Sequence, residues 1–219
     1  MAIRIIFLLL GISSSVAIAG ELRSLVLDHK GKPVAQAVVT ARPVGQLTET
    51  GTAIEVKPGP NAVIDQVDKE FVPTLTVVPQ GTTVSFPNSD NIRHQVYSFS
   101  RSNRFELPLY AGRTAPPVTF DNPGVVALGC NVHDWMSAHV FVSDTPWFGV
   151  TDETGTVTLT GLPPGDYEVE VWQARLRGKP KKHRQLISVG DTVATADFSI
   201  RLKKVWKAWR DSSDSGEDY

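Results

Sequence analysis

The 219-residue chain carries 22 Lys and Arg against 23 Asp and Glu, a formal net charge of −1. That balance lacks the basic footprint of a general nucleic-acid binder, so no nucleic-acid partner is expected. Cys130 is the only cysteine, which excludes an internal disulfide and leaves a lone thiol to be explained.

Residues 1–19 have the layout of a secretory signal peptide. Arg4 supplies a positive start, 5–10 is almost continuously apolar, and Ala17-Ile18-Ala19 stands before Gly20 as a small-x-small cleavage site. The apolar run is short for a membrane span. The expectation is a mature protein starting near Gly20 and released into the periplasm of a Gram-negative source. Beyond the leader the chain reads as strands: 22–27, 38–41, 75–78, 83–86, 118–120, 125–128 and 138–142 are short runs of Val, Thr, Phe and Leu. Turn chemistry separates them, as at Lys30-Gly31-Lys32-Pro33, Pro79-Gln80-Gly81, Asn122-Pro123-Gly124 and Pro163-Pro164-Gly165-Asp166. Many short strands at regular spacing predict an all-β protein built of sandwiches.

Two distant blocks belong to one pattern. "LVLDHKGKPVAQAVVTARP" lies within 22–43, and "TDETGTVTLTGLPPGDYEVEVWQ" fills 151–173. Together they resemble the small carboxypeptidase-regulatory-like (transthyretin-like) β-sandwich. The resemblance implies one sandwich in two parts, 20–48 and 145–200, with a linker at 49–62 and a second sandwich at 63–144 inserted in or joined to it. Insertion at an exposed loop tip is physically tolerated. At 201–219 the pattern changes. Leu202, Val205, Trp206 and Trp209 fall at i, i+3, i+4, i+7 among Arg and Lys, predicting a short basic amphipathic helix before an acidic, disordered end. The two tryptophans either pack on the protein's own surface or dock on a partner or a membrane surface.

The stretch with chemistry is Gly129-Cys130-Asn131-Val132-His133-Asp134-Trp135-Met136. It places a thiolate, an imidazole and a thioether at three-residue intervals, which a tight loop between strands can turn toward one point. A Cys thiolate, two His nitrogens and a weak axial Met form the ligand set of a blue-copper electron-transfer site. The second His must come from elsewhere, and His94 is the candidate, after the strand at 83–86 and before one expected at 95–99.

With these pieces in place, the middle of the chain resembles a cupredoxin of the plastocyanin and amicyanin type. The resemblance rests on "VPQGTTVSFPN" at 78–88, on His94, and on the spacing from Gly124 through Cys130 and His133 to Met136. More narrowly, the mature chain resembles plastocyanin-like proteins of the methylamine-utilisation type. It implies a Greek-key copper sandwich in which His94, Cys130 and His133 form a plane around one mononuclear copper. Met136 would be the long axial ligand, and His133 would show its ring edge at the surface as the electron port. Two departures stand out: Gln95 replaces the Asn that usually braces the ligand loops, and Asp134-Trp135 replaces the Pro that usually follows the second His.

Other chemistries find little support. There is no nucleophile-elbow serine and no Gly-rich phosphate loop, and four protein ligands leave a metal no open position, so no enzymatic role is expected. His139 is expected within a strand rather than at the metal, and His29 and His183 in polar turns. Asp68/Glu70 and Asp152/Glu153 read as solvated turn charges. Three roles remain: an electron carrier serving redox partner proteins, a delivery protein serving a copper acceptor, and a cell-envelope interaction module using the fold as scaffold.

Overall fold

The computed structural model describes residues 20–45, 55–112, 115–178 and 180–204. The leader at 1–19, linker residues 49–54, and Val205, Trp206 and Trp209 of the expected helix lie outside the described residues. Among the described residues, no helix is long and apolar enough to cross a membrane.

The fold is all-β. In chain order come β1 (Gly20–Asp28) and β2 (Val38–Pro43), then β3 (Ala62–Val63), β4 (Asp65–Val67), β5 (Glu70–Val72), β6 (Leu75–Pro79) and β7 (Thr82–Ser85). Next are β8 (Tyr97–Ser98), β9 (Phe105–Glu106), β10 (Val118–Phe120), β11 (Gly124–Gly129) and β12 (Ser137–Ser143). The chain closes with β13 (Trp147–Val150), β14 (Thr156–Leu162), β15 (Gly165–Trp172), β16 (Arg184–Val189), β17 (Ala194–Thr195) and β18 (Phe198–Ile200).

Sheet pairing joins the two ends of the chain. One sheet runs β14-β1-β17 with β18 also on β1, and another runs β13-β2-β15-β16. They close over a core that includes Leu22, Val26, Val39, Ala41, Val169 and Ile200. The alternation that builds it is visible in β1, where Leu22, Ser24 and Val26 point inward and Arg23 outward. The stretch between leaves and returns: β10-β7-β3 faces β6-β12-β11-β8-β9 across a separate core containing Phe71, Phe86, Val96, Phe120, Val126 and Val140. Phe71, Phe86 and Phe120 are fully buried, each worth about 1.5–3 kcal/mol relative to exposure. Cys130 and Met136 belong to this same cluster, so two soft sulfur atoms sit at the rim of an apolar core.

β12 connects the two sandwiches. Ala138, Val140 and Val142 enter the second core, while His139 and Phe141, on the opposite face, each meet the Trp172 ring of β15 at 5.6 Å between centroids. Arg42 Nη2 reaches Asp144 at 2.6 Å, and the Thr145 hydroxyl donates to the Ala41 carbonyl at 2.6 Å. Burial pushes the His139 imidazole below its ordinary value of 6.5, so the folded protein favours its neutral form. The unfolded chain then binds more protons, and stability falls as pH drops through 6.5. Thermal unfolding scanned from pH 7 downward is expected to show this loss, and His139→Gln to flatten it; identical pH profiles for the two chains would contradict the assignment.

The tail departs from expectation at its start. Residues 201–204 are not helical: Leu202 bridges Leu176, Lys203 N–H donates to the Arg175 carbonyl, and Arg177 N–H donates to the Arg201 carbonyl. Leu202 packs against the first core, so tertiary burial overrides its helical spacing.

Candidate metal centre

β11 ends at Gly129 and β12 begins at Ser137, paired to each other, so 130–136 is a hairpin loop whose two ends are pinned. Gly129 is required by close approach: a Cβ there would lie 2.7 Å from the Tyr97 ring. Within the loop, Met136 N–H donates to the His133 carbonyl at 3.0 Å, a turn that folds Met136 back under His133. The loop thus carries Cys130, His133 and Met136 between two pinned strand ends.

His94 arrives from the other side. Its backbone exchanges two 3.0 Å hydrogen bonds with Tyr110, an isolated bridge that fixes its place opposite the loop. Its Nδ1 and the Nδ1 of His133 each lie 3.9 Å from Cys130 Sγ, and the three donor atoms all fall within 4.8 Å of one another. All three side chains are buried. Bonds of about 2.05 Å to nitrogen and about 2.3 Å to sulfur put those atoms about 3.6 Å apart at a tetrahedral angle and about 3.8 Å apart at a trigonal one. The observed separations are close to both, so the three donors can share one ion. These residues can hold one metal ion. Met136 is also buried and lines with Cys130 an open hollow of about 430 Å³, whose rim includes Tyr97 and Phe99.

The bracing of the site comes from residues that sequence reasoning missed. Gln95 does not brace it; its amide donates to Glu106 at the surface. Asn88 does so instead: Nδ2 donates to the carbonyls of Ile92 and Tyr110 at 2.9 Å each, and Oδ1 accepts from Asp90 N–H at 3.0 Å. Asp90 Oδ2 lies 2.6 Å from His94 Nε2. Burial pushes the Asp90 carboxyl up, but the Lys69 amide, the His94 ring and the Asp68 amide outweigh it and leave the carboxyl below its ordinary value. An ionised carboxylate only accepts, so Nε2 carries a hydrogen, and Nδ1 is the ring nitrogen that faces Cys130. Tyr110, its hydroxyl pushed up to about 12 mainly by burial, stays protonated and donates to the Phe86 carbonyl at 2.6 Å.

No protein-family model matches the chain, and neither does any curated protein. Among solved structures, a purple cupredoxin from Nitrosopumilus maritimus is 24% identical with a TM-score of 0.34, the alignment covering 37% of this chain and 99% of that one. An amicyanin in its reduced Cu(I) form is 19% identical with a TM-score of 0.35, covering 48% of this chain and 98% of the other. A copper-containing nitrite reductase from Thermus scotoductus is 24% identical with a TM-score of 0.36, over 55% of this chain and only 28% of the reductase.

His133, which the resemblance implies shows its ring edge at the surface, keeps a small exposed area. Only 8% of it is exposed, because the Trp135 ring lies against it at 5.1 Å, held by an indole N–H donated to the Lys69 carbonyl at 3.1 Å. The half-buried indole lies over the imidazole. Trp135→Ala is expected to open His133 and speed removal of bound metal by a chelator several-fold; an unchanged removal rate would show that the indole shields nothing. His139 stays away from the site, on the opposite face of β12 against Trp172. Asp152 serves its own turn, accepting from Thr154 and Thr156.

Proposed function

We propose that this chain is an exported blue-copper protein that carries single electrons, with His94, Cys130 and His133 in a plane around one copper and Met136 as the long axial ligand. The observation that carries this reading is the convergence of two imidazole nitrogens on one thiol sulfur, among buried side chains and in a loop that ends at a buried Met. Bound copper supplies a one-electron change between Cu(II) and Cu(I). The chain's own residues keep that change cheap. The bridge to Tyr110 and the Asn88 brace hold His94 in place, and the pinned hairpin holds Cys130 and His133, so the donors need little rearrangement.

The remaining assignments follow from the resemblance and the leader. The middle sandwich is of cupredoxin type, and the sheets formed by the chain's two ends are of the regulatory-like type, setting where the protein docks. The site of action is the periplasm, and the pathway is methylamine utilisation or a related respiratory route. With four protein ligands there is no position for substrate, so the role is carriage rather than catalysis.

One observation favours a second reading, delivery of copper to an acceptor: the open hollow reaches Cys130 and Met136 from the surface, a route by which a partner's ligands can approach. Repeated reduction and reoxidation of the loaded protein beside a Cu(I) chelator separates the two. A carrier retains its copper through the cycles; quantitative loss to the chelator on reduction supports delivery.

A further inference from the structure

The carboxylate behind His94 is tied into a second part of the fold. β4 and β5 are joined by a two-residue turn, Asp68-Lys69, with φ of 52° and 60°, the backbone pattern of a tight hairpin turn that usually selects Asn and Gly. Lys at φ 60° lacks the freedom of glycine, and a strained residue persists only where its surroundings hold it. Both backbone N–H groups of this turn point at one side chain: Asp68 N–H donates to Asp90 Oδ1 at 2.7 Å and Lys69 N–H to Asp90 Oδ2 at 2.9 Å. The Asp90 side chain is 12% exposed and His94 is fully buried. The same turn, through the Lys69 carbonyl, anchors the indole that covers His133. One tight turn thus sits behind both histidines.

We propose that Asp90 is a positioning residue for the metal centre, holding His94 with Nδ1 toward Cys130 and placing a fixed negative charge that favours the oxidised state of bound copper and keeps the reduction potential low. This rests on the copper reading above. A hydrogen-bonded carboxylate makes the imidazole more electron-donating and fixes its orientation, and removing such a partner costs typically about 10–100-fold in metal affinity. The charge acts more strongly on Cu(II) than on Cu(I), so the two affinities shift unequally. The fixed amides of the turn keep the carboxylate aimed at the ring in both states.

Asp90→Asn separates charge from shape, because the amide keeps the size and an oxygen acceptor. In the full chain loaded with copper, D90N is expected to keep its thiolate–copper absorption, while its apo-state thermal midpoint falls modestly because the amide nitrogen must face an N–H group that the carboxylate now accepts. It should lose at least tenfold more affinity for Cu(II) than for Cu(I), equivalent to a rise of about 59 mV in the one-electron potential. Asp90→Glu, which retains the charge, should lie closer to the wild-type potential. Glu106→Gln, which removes an exposed carboxylate of the same sandwich, should shift it less than D90N. A potential for D90N within measurement error of wild type, with both proteins showing the absorption, overturns the inference and leaves the copper reading standing. Absence of the absorption in the wild-type protein overturns both.

Discussion

Cys130→Ser is expected to abolish the intense visible absorption of the copper-loaded protein and to weaken copper binding by more than ~100-fold, exceeding the loss typical when only a ligand's hydrogen-bond partner is removed. The reason is chemical rather than steric. A thiolate is soft, strongly donating and ionised when bound, whereas an alcohol at the same position stays protonated and hard. Serine is close to cysteine in size, and Cys130 sits at the rim of the second core rather than at its centre of volume. Placing a hydroxyl there costs the metal-free fold only about 1–2 kcal/mol. Visible spectra, chelator competition and denaturant unfolding of the metal-free protein check the three parts separately. A serine variant that kept the absorption would remove Cys130 from the site.

Asn88→Ala is expected to lower the stability of the metal-free protein by about 3 kcal/mol, from three hydrogen bonds at about 1 kcal/mol net each. These bonds link the start of the His94 loop, its middle and the Tyr110 strand segment, so the loss is also local. His94 becomes free to leave the metal, and copper dissociation accelerates. Asn88→Asp tests the same brace by another route, because its carboxylate would face the Ile92 and Tyr110 carbonyls where the amide now donates. Chemical denaturation with and without copper measures both effects. A loss below about 1 kcal/mol in Asn88→Ala would mean that these bonds are replaced by water at no cost.

What was legible in the sequence was whatever repeats or lies close along the chain. The strands at 75–78, 118–120, 125–128 and 138–142 were readable because Val, Leu and Phe alternate or cluster between turn residues, and β6, β10, β11 and β12 fall within a residue or so of them. β4, β5, β8 and β9 are two or three residues long, too short for a period to show. Cys130 and His133 were legible because one short loop carries both. His94 followed from its place after a strand. The brace was not legible: Asn88 stood only as the last residue of the 78–88 match, and the roles of Asn88 and Asp90 depend on Tyr110 and on a turn at 68–69 that meets them only in the folded chain. Gln95, at the position expected to brace, points away because it faces Glu106 across the β8–β9 edge. Trp135 was visible as a departure, but its covering of His133 depends on the Lys69 carbonyl far upstream.

The most direct test of the central claim is a titration of the purified protein with Cu(II), followed by visible absorption. An intense thiolate–copper band that grows to saturation at one copper per chain is the predicted result. Copper uptake with no such band, or a band that saturates at a different stoichiometry, would contradict a single centre built from His94, Cys130 and His133.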